Sequence, residues 1–586
     1  MKNKPSIVFF ILCWTILSFQ IIAFLVIGKI NYWGLHTNIA LGAADALIIL
    51  SPFFLLNPRW RWTIVFPMTL FPIYLYVNLL YIRNFGDMMG FTTMFGFSNA
   101  TGEVAESSLK SMRWNDLYII IPFLAFFVLY FTSLNKIRKD TFTLKFKIVS
   151  VSCCVIAFLC GQLLFIYHFN IAYNLSNTSS SNPLMSEKFY YNKFKEMERR
   201  YNLQYYGFIP YLCIETYNYV KPKYFSLSKQ DKNDINDYFT EIATRNLLID
   251  SILNNRNKNL ILIVVESLNS DALYIKSQNK AILPFISSIL TEDGIIVLDK
   301  VMSQVGVGRS SDGRFIYQTG LLPLPSDPIA MSYLDFEYPS LSRSLKRNGI
   351  EFDCGNPIQW NKTDLSRCYG FKKIYTGNTM LKNMKKLGGK DIALFSNSFK
   401  FIKELPQPFY VALNTMDMHD PYDKYGWKKS EIWKDSSFSL NEKVYIEKCR
   451  QFDAGLSQFI ATLKKEKLYN NTVIVIAGDH NARESALVGN KFTNKEIPII
   501  ILNSGIDLKC SKRIGQIDLY PTILDIMGCS EPHWKGLGTS IFRNLAIFGS
   551  DSIKYTHTSS PMSYPSPRAW EISDKLIRSG YFKNYK

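Results

Sequence analysis

LILIVVES, Leu260 to Ser267, and TVIVIAGDHN, Thr472 to Asn481, decide the fold. Each is a short run of Ile, Val and Leu without polar alternation, the pattern of a strand buried on both faces of a parallel sheet. Each then turns abruptly ionisable, with Glu266 after the first run and Asp479 and His480 after the second. Ligands of open α/β sheets gather beyond the carboxyl ends of the strands. The three side chains are therefore expected at one edge of one sheet. A single Glu after a strand also suits a cap or a surface carboxylate. Two adjacent ionisable residues after an apolar strand are costly without partners, which makes the GDH of 478–480 the stronger signal.

A third stretch supplies a nucleophile. GVGRSSD, Gly306 to Asp312, is a loop of small residues carrying Ser310. A serine hydroxyl is a weak nucleophile unless something activates it, and a cation held by a Glu, an Asp, a His and the Ser oxygen would do so by lowering the hydroxyl pKa. Mixed oxygen and nitrogen ligands suit Zn or Mn. PFYVALN, Pro408 to Asn414, and IPIIILN, Ile497 to Asn503, read as two more strands. The spaced apolar residues Val444, Ile446, Phe452, Leu456, Phe459, Ile460 and Leu463 between them suit an amphipathic helix. Strand runs alternating with helical patterns predict a mainly parallel sheet covered by helices. TMDMHDPY follows Pro408–Asn414 and puts His419 in a loop just beyond a strand, as a candidate ligand or acid.

The chain has 586 residues, 47% of them hydrophobic, and the apolar residues crowd into the first 170 positions. A membrane part followed by a soluble part is expected. Five apolar segments, at about Pro5–Gly28, Leu35–Leu56, Trp62–Ile82, Asp116–Leu134 and Phe146–His168, approach the ~20 residues that cross a bilayer. With the amino terminus inside, the inner segments hold Lys2, Lys4, Arg59, Arg61, Lys136, Arg138, Lys139, Lys145 and Lys147, whereas the outer loops hold only Lys29, Arg83, Lys110 and Arg113. The positive-inside rule then places everything after His168 outside the cytoplasm. Asp45, a carboxylate within the second segment, has two readings, helix pairing or a role near the headgroups.

The net charge of +19 comes without a compact basic block or nucleic-acid motif, and anionic lipid headgroups are its simpler partner. No Cys-x-x-Cys pair occurs, which argues against a zinc ribbon or a thioredoxin-like site. In an oxidising compartment, Cys354 with Cys368 and Cys510 with Cys529 are candidate disulfides. The division expected is a transmembrane domain at 1–168, an interfacial helical linker or solvated connecting helix at 169–257, a catalytic domain at 258–545 and a carboxyl-terminal extension at 546–586.

Glu266 after the first strand, Ser310 in GRSSD and Asp479–His480 after a later strand together resemble the sulfatase and alkaline phosphatase superfamily. Within it, they resemble the membrane phosphoglycerol transferases typified by lipoteichoic acid synthase. IGQIDLYPTILDIMG, Ile514 to Gly528, matches that family's D-x-x-P-T-x-L-x-x-x-G segment. Ser310 stands where the family has Thr, an equivalent hydroxyl, and Arg309 where it has Lys. The sulfatases proper mature a residue in C/S-x-P-x-R, and although Arg314 has the right spacing, Asp312 occupies the Pro position.

The resemblance implies a five-helix transmembrane domain followed by an α/β sulfatase-like domain, set in a bacterial cytoplasmic membrane with the catalytic domain on the extracytoplasmic side. It implies one divalent metal ion, Mn with Mg or Zn as alternatives, on Glu266, Ser310, Asp479 and His480. It gives His419 a part in catalysis and substrate binding, beside Arg309. Trp360 and Lys362, in QWNKTD, resemble the family's headgroup-reading W-N-R segment, with Lys in place of the bidentate Arg; an exposed loop is the competing account. The implied reaction moves a phosphoglycerol-type headgroup from a phospholipid donor to an envelope glycan or polymer through a Ser310 phospho-enzyme. The rivals are a phosphoethanolamine transferase, a sulfatase of the same fold and a non-catalytic sensor domain.

Overall fold

The computed structural model describes residues 5–30, 35–85, 87–95, 111–178, 199–200, 203, 207–220, 222–245, 255–324, 327–355, 362–422, 425–426, 428–483, 486–510, 513–529, 534–548, 554–557 and 567–584. It divides into two compact units, Met1–Lys221 and Pro222–Lys586.

The first unit is helical: α1 (Pro5–Ile27), α2 (Leu35–Leu50), α3 (Val65–Phe85), α4 (Leu117–Ile137), α5 (Leu144–Thr178) and α6 (Phe208–Val220). Among the described residues four segments are long and apolar enough to cross a membrane, Pro5–Ile27, Pro58–Arg83, Trp114–Ile137 and Leu144–Leu163. The fifth expected segment, Leu35–Leu56, falls short. Its α-helix ends at Leu50 and passes into a 3₁₀ turn, Ser51–Phe54, with a proline in its first positions. Sixteen helical residues span about 24 Å, less than a ~30 Å hydrocarbon core. Asp45 is buried in α2 and accepts the amide protons of Phe208 (2.7 Å) and Ile209 (3.3 Å). It thus pairs α2 with the amino end of α6, where unsatisfied N–H groups and the helix dipole favour a carboxylate.

The second unit is built on a nine-stranded sheet. Its strands are β1 (Asn259–Val265), β2 (Ile296–Met302), β3 (Gly349–Asp353), β4 (Phe371–Tyr375), β5 (Tyr410–Asn414), β6 (Thr472–Gly478), β7 (Glu496–Leu502), β8 (Leu508–Cys510) and β9 (Ile514–Gly515). The order is β8-β2-β7-β6-β1-β5-β3-β4, with β9 also on β2. All pairings are parallel except those of β7, which runs antiparallel to both β6 and β2. The sheet is thus mixed, mostly parallel. β7 follows β6 through a connection with no crossover helix among its described residues, and the chain returns antiparallel.

β1 lies in the middle of the sheet and is buried along its whole length. Its alternate residues serve different cores: Leu260, Leu262 and Val264 pack on one side, Ile261, Ile263 and Val265 on the other. The second core is covered by α9 (Lys390–Ile402) and α10 (Leu440–Lys465). The first is covered by α8 (Ser310–Thr319), α11 (Leu519–Ile526) and the flanking α7 (Lys229–Arg245) and α12 (Pro567–Arg578). α10 starts at a capping box in which Ser439 and Glu442 satisfy each other's amides, and it ends on Lys464 and Lys465, charges that suit both poles of the helix. α12 buries Ile572, Leu576 and Ile577 in the first core, while its Lys575 reaches Asp231 and Asp234 of α7.

None of the ten cysteines is in a disulfide. The candidate pairs do not form. Cys354 Sγ faces the Lys390 carbonyl, Cys368 Sγ that of Leu334 and Cys529 Sγ that of Ser344.

One buried ion-pair network crosses from helix to sheet. Arg314 of α8 donates to Glu351 Oε1 (2.6 Å), Asp353 Oδ2 (2.8 Å) and Ser366 Oγ (3.1 Å), and the two carboxylates hold its pKa above the ordinary arginine range despite burial. Arg314→Met would leave two buried carboxylates without their cation, an expected loss of about 3–5 kcal/mol. Thermal unfolding of the full-length protein followed by tryptophan fluorescence should show a clearly lower midpoint; an unchanged midpoint would mean the network is not stabilising.

Candidate active site

β1 and β6 pair in parallel and in step from Asn259↔Thr472 to Val265↔Gly478. Both strands end at the same level, so Glu266 and Asp479 leave the sheet as neighbours. The Asp479 amide closes the ladder on the Val265 carbonyl at 2.9 Å. The Glu266 amide donates to Thr415 Oγ1 at 3.0 Å, which ties in the end of β5.

α8 brings Ser310 to this edge as its first residue. The preceding Arg309 has φ 43°, the left-handed turn by which the chain enters the helix. Asp312 Oδ2 accepts the amide protons of Gly306 (3.0 Å) and Gly308 (2.9 Å), closing the loop on itself. Two glycines permit the fit. A Cβ on Gly308 would lie 2.2 Å from Asp312 Oδ1, and one on Gly313 would lie 2.5 Å from the Asp479 carbonyl oxygen.

At the meeting point Ser310 Oγ donates to Glu266 Oε2 at 2.9 Å and lies 3.1 Å from His480 Nε2. Glu266, Asp479 and His480 are buried, and one ligand atom from each lies within 4.8 Å of the others. The His480 imidazole is neutral, its pKa pushed down to about 3 by burial and then by Arg309. Nδ1 lies 2.9 Å from the Asn481 carbonyl, and with the proton on Nδ1 the lone pair of Nε2 faces the carboxylates. Arg309 Nη2 donates to the same carbonyl at 2.7 Å. Burial and repulsion from Glu266 raise the Asp479 carboxyl well above its usual range. Glu266 is held down to about 2, because His419, His480 and the hydroxyls of Ser267 and Ser310 outweigh its burial. Two buried carboxylates, a neutral imidazole and a serine oxygen facing one point form a donor set that suits a divalent cation, which would relieve that repulsion.

His419 lies in the loop after β5 with its side chain 44% exposed, and Nδ1 rests on the Asp420 carbonyl at 2.5 Å. Asp420 in turn pairs with Arg483 at 3.2 Å. Lys448 of α10 holds the loop from beneath, donating to the carbonyls of His419 (2.5 Å) and Pro421 (3.2 Å). Asp391 and Asp417 cap one another's turns: Asp391 Oδ1 accepts from the Met416 and Asp417 amides, and Asp417 accepts from those of Lys390 and Asp391. Trp360 falls outside the described residues, as does the side chain of Lys362, whose backbone opens the short helix Lys362–Cys368.

Sequence reasoning passed over Ser267, Asp420, Lys448 and Arg483. Asp420 was visible as the residue after His419. Lys448 sits in a helix legible only by its apolar face, and nothing in the sequence marks Ser267 or Arg483 for this place.

Residues 258–529 match the sulfatase family, and residues 1–225 match the lipoteichoic acid synthase N-terminal domain. Lipoteichoic acid synthase 2 of Bacillus subtilis (strain 168) is 24% identical over 496 residues, 80% of this chain and 72% of the relative. Lipoteichoic acid synthase of Staphylococcus aureus (strain USA300) is 24% identical over 574 residues, 90% of this chain and 84% of the relative. Among solved structures, a lipoteichoic acid synthase from Listeria monocytogenes aligns with a TM-score of 0.45 at 19% identity, over 59% of this chain and 98% of that one. With its apolar amino-terminal helices, the chain is a membrane protein carrying a domain of the sulfatase superfamily. Within that superfamily it is similar to the lipoteichoic acid synthases along both the amino-terminal and the sulfatase-like parts of the chain.

Gly308→Ala should displace Asp312 and with it the start of α8, and a shift of about 1 Å at Ser310 is expected to cost on the order of 100-fold in turnover of a phosphodiester substrate. The circular dichroism spectrum should not change. Wild-type turnover in the variant would mean the loop has room that the geometry denies it.

Proposed function

We propose that this enzyme transfers a phosphoglycerol-type headgroup from a membrane phospholipid such as phosphatidylglycerol to a hydroxyl of an envelope glycan or polymer. Ser310 is the nucleophile. The observation that carries the proposal is its Oγ, set between Glu266 and His480 at the amino end of a buried helix. The lipoteichoic acid synthase relatives, aligned through both units, support the reaction class. Five crossings are part of the proposal, with α2 and its 3₁₀ continuation as the short one. The surplus of Lys and Arg in the inner segments then puts the catalytic unit outside the cytoplasm of a bacterial membrane.

Glu266, Asp479, His480 and Ser310 would hold one divalent cation, Mn ahead of Mg or Zn, which when bound would lower the Ser310 hydroxyl pKa and offset charge on the phosphoryl oxygens. Ser310 Oγ attacks the phosphorus in line with the diacylglycerol oxygen; a Ser–O–P bond forms and the bond from phosphorus to diacylglycerol breaks. The serine proton is held on the side of Glu266 Oε2. His419, half exposed on its braced loop, donates to the departing oxygen or to a phosphoryl oxygen. Arg309 lends positive charge at the same edge, and Trp360 and Lys362 would read the headgroup. An acceptor hydroxyl then attacks the phosphoserine, restoring Ser310. A membrane tether raises the effective concentration of a lipid donor.

Two observations weigh against the sulfatase rival. The Arg314 guanidinium is committed to Glu351 and Asp353, and Asp312 is committed to closing the Gly306–Gly308 loop.

The test uses full-length protein in liposomes with fluorescent phosphatidylglycerol and Mn. Diacylglycerol release and a phosphoglycerol adduct on Ser310 are expected, with Ser310→Ala below about one-thousandth of wild type. Release from phosphatidylethanolamine alone would reassign the donor; inertness toward both lipids would overturn the transferase reading. Chelation with EDTA should abolish release and added Mn restore it, whereas activity that survives chelation would remove the cation from the scheme.

A further inference from the structure

Ser267 follows Glu266 directly, and its backbone has φ 53° although it is not glycine. Such a conformation is strained for a residue with a Cβ, and strain of this kind persists where the surrounding structure over-determines it, often at functional sites. Consecutive residues of a strand point to opposite faces. The left-handed bend breaks that alternation and returns the Ser267 side chain to the side of Glu266. Its hydroxyl donates to Glu266 Oε1 at 2.7 Å. Its amide donates to Asp479 Oδ1 at 2.7 Å. The bend is fixed from behind by Tyr445 of α10, whose hydroxyl donates to the Ser267 carbonyl at 2.8 Å.

The consequence falls on the carboxylates. Glu266 Oε1 accepts from the Ser267 hydroxyl and lies 3.6 Å from His480 Nε2, while Oε2 accepts from Ser310 Oγ at 2.9 Å. Asp479 Oδ1 is taken by two amides, those of Ser267 and His480 (2.7 Å each), which leaves Oδ2 toward His480 Nε2 at 3.5 Å. Ser267 therefore holds one oxygen of each acid, which fixes how the two carboxylates present to His480 Nε2 and Ser310 Oγ.

From this geometry we infer that Ser267 is a positioning residue for the divalent cation, orienting Glu266 through its hydroxyl and Asp479 through its amide so that both carboxylates face it. The inference rests on the cation assignment of the proposed function and extends it to a residue outside the ligand set.

The experiment is a Mn titration of full-length protein in nanodiscs, read by the electron paramagnetic resonance signal of free Mn, with thermal unfolding of the metal-free forms alongside. Ser267→Ala keeps the strain and loses the hydroxyl; Ser267→Gly loses the hydroxyl and relieves the strain. Both variants should bind Mn about 10- to 100-fold more weakly than wild type, the usual cost of losing a partner behind a metal ligand. Ser267→Gly should also unfold at a temperature equal to or above that of wild type. Affinities equal to wild type, or a loss of folded protein in both variants, would make Ser267 a residue of the fold alone and overturn the inference. No Mn binding by wild type itself would instead remove the cation assignment on which it rests.

Discussion

Everything at the catalytic edge depends on two parallel strands ending level. Val265 pairs with Gly478, so Glu266 and Asp479 emerge side by side with their backbones locked. A one-residue slip would send each side chain to the opposite face and dissolve the site. The register is secured by burial on both faces, because the alternate residues of β1 belong to two different cores. Hydrophobic patterning thereby fixes the position of two charges it does not contain.

Two acids, an imidazole and a hydroxyl with little access to water would be a poor arrangement for stability alone. Burial and then repulsion from Glu266 raise the Asp479 carboxyl, and desolvation keeps the imidazole neutral. The surrounding chain holds the arrangement with backbone amides more than with side chains: Asp479 accepts from two of them, and the loop before α8 closes on Asp312 through two more. The glycines at 308 and 313 matter for the same reason, since each admits an oxygen where a methyl group would lie. Such preorganisation suits chemistry in which charge develops on phosphoryl oxygens.

The loop after β5 is built differently. The loop that carries His419 sits on Lys448 and on the reciprocal caps of Asp391 and Asp417, while the imidazole itself stays half exposed. The loop thus combines a rigid base with an accessible imidazole. Arg314, which shares the spacing of a sulfatase arginine, ties α8 to β3 and serves the fold.

By itself the sequence determined the α/β class, the four long strands, the amphipathic helix and four side chains that the fold brings together, Glu266, Ser310, Asp479 and His480, because apolar runs that end in ionisable residues carry their own physical warrant. An excess of positive charge in one set of loops likewise set an expectation for topology. Tertiary structure alone decided the rest. The antiparallel return of β7, the short α2 and the capping of α6 by Asp45 depend on loop length and on distant partners, which no local pattern encodes. That the candidate cysteine pairs do not form was likewise decided by the fold, which turns Cys354, Cys368 and Cys529 toward backbone carbonyls. Ser267 is the sharpest case: nothing in a lone serine after a strand announces a left-handed bend, because that bend exists only where Tyr445 and Asp479, far along the chain, hold its carbonyl and its amide.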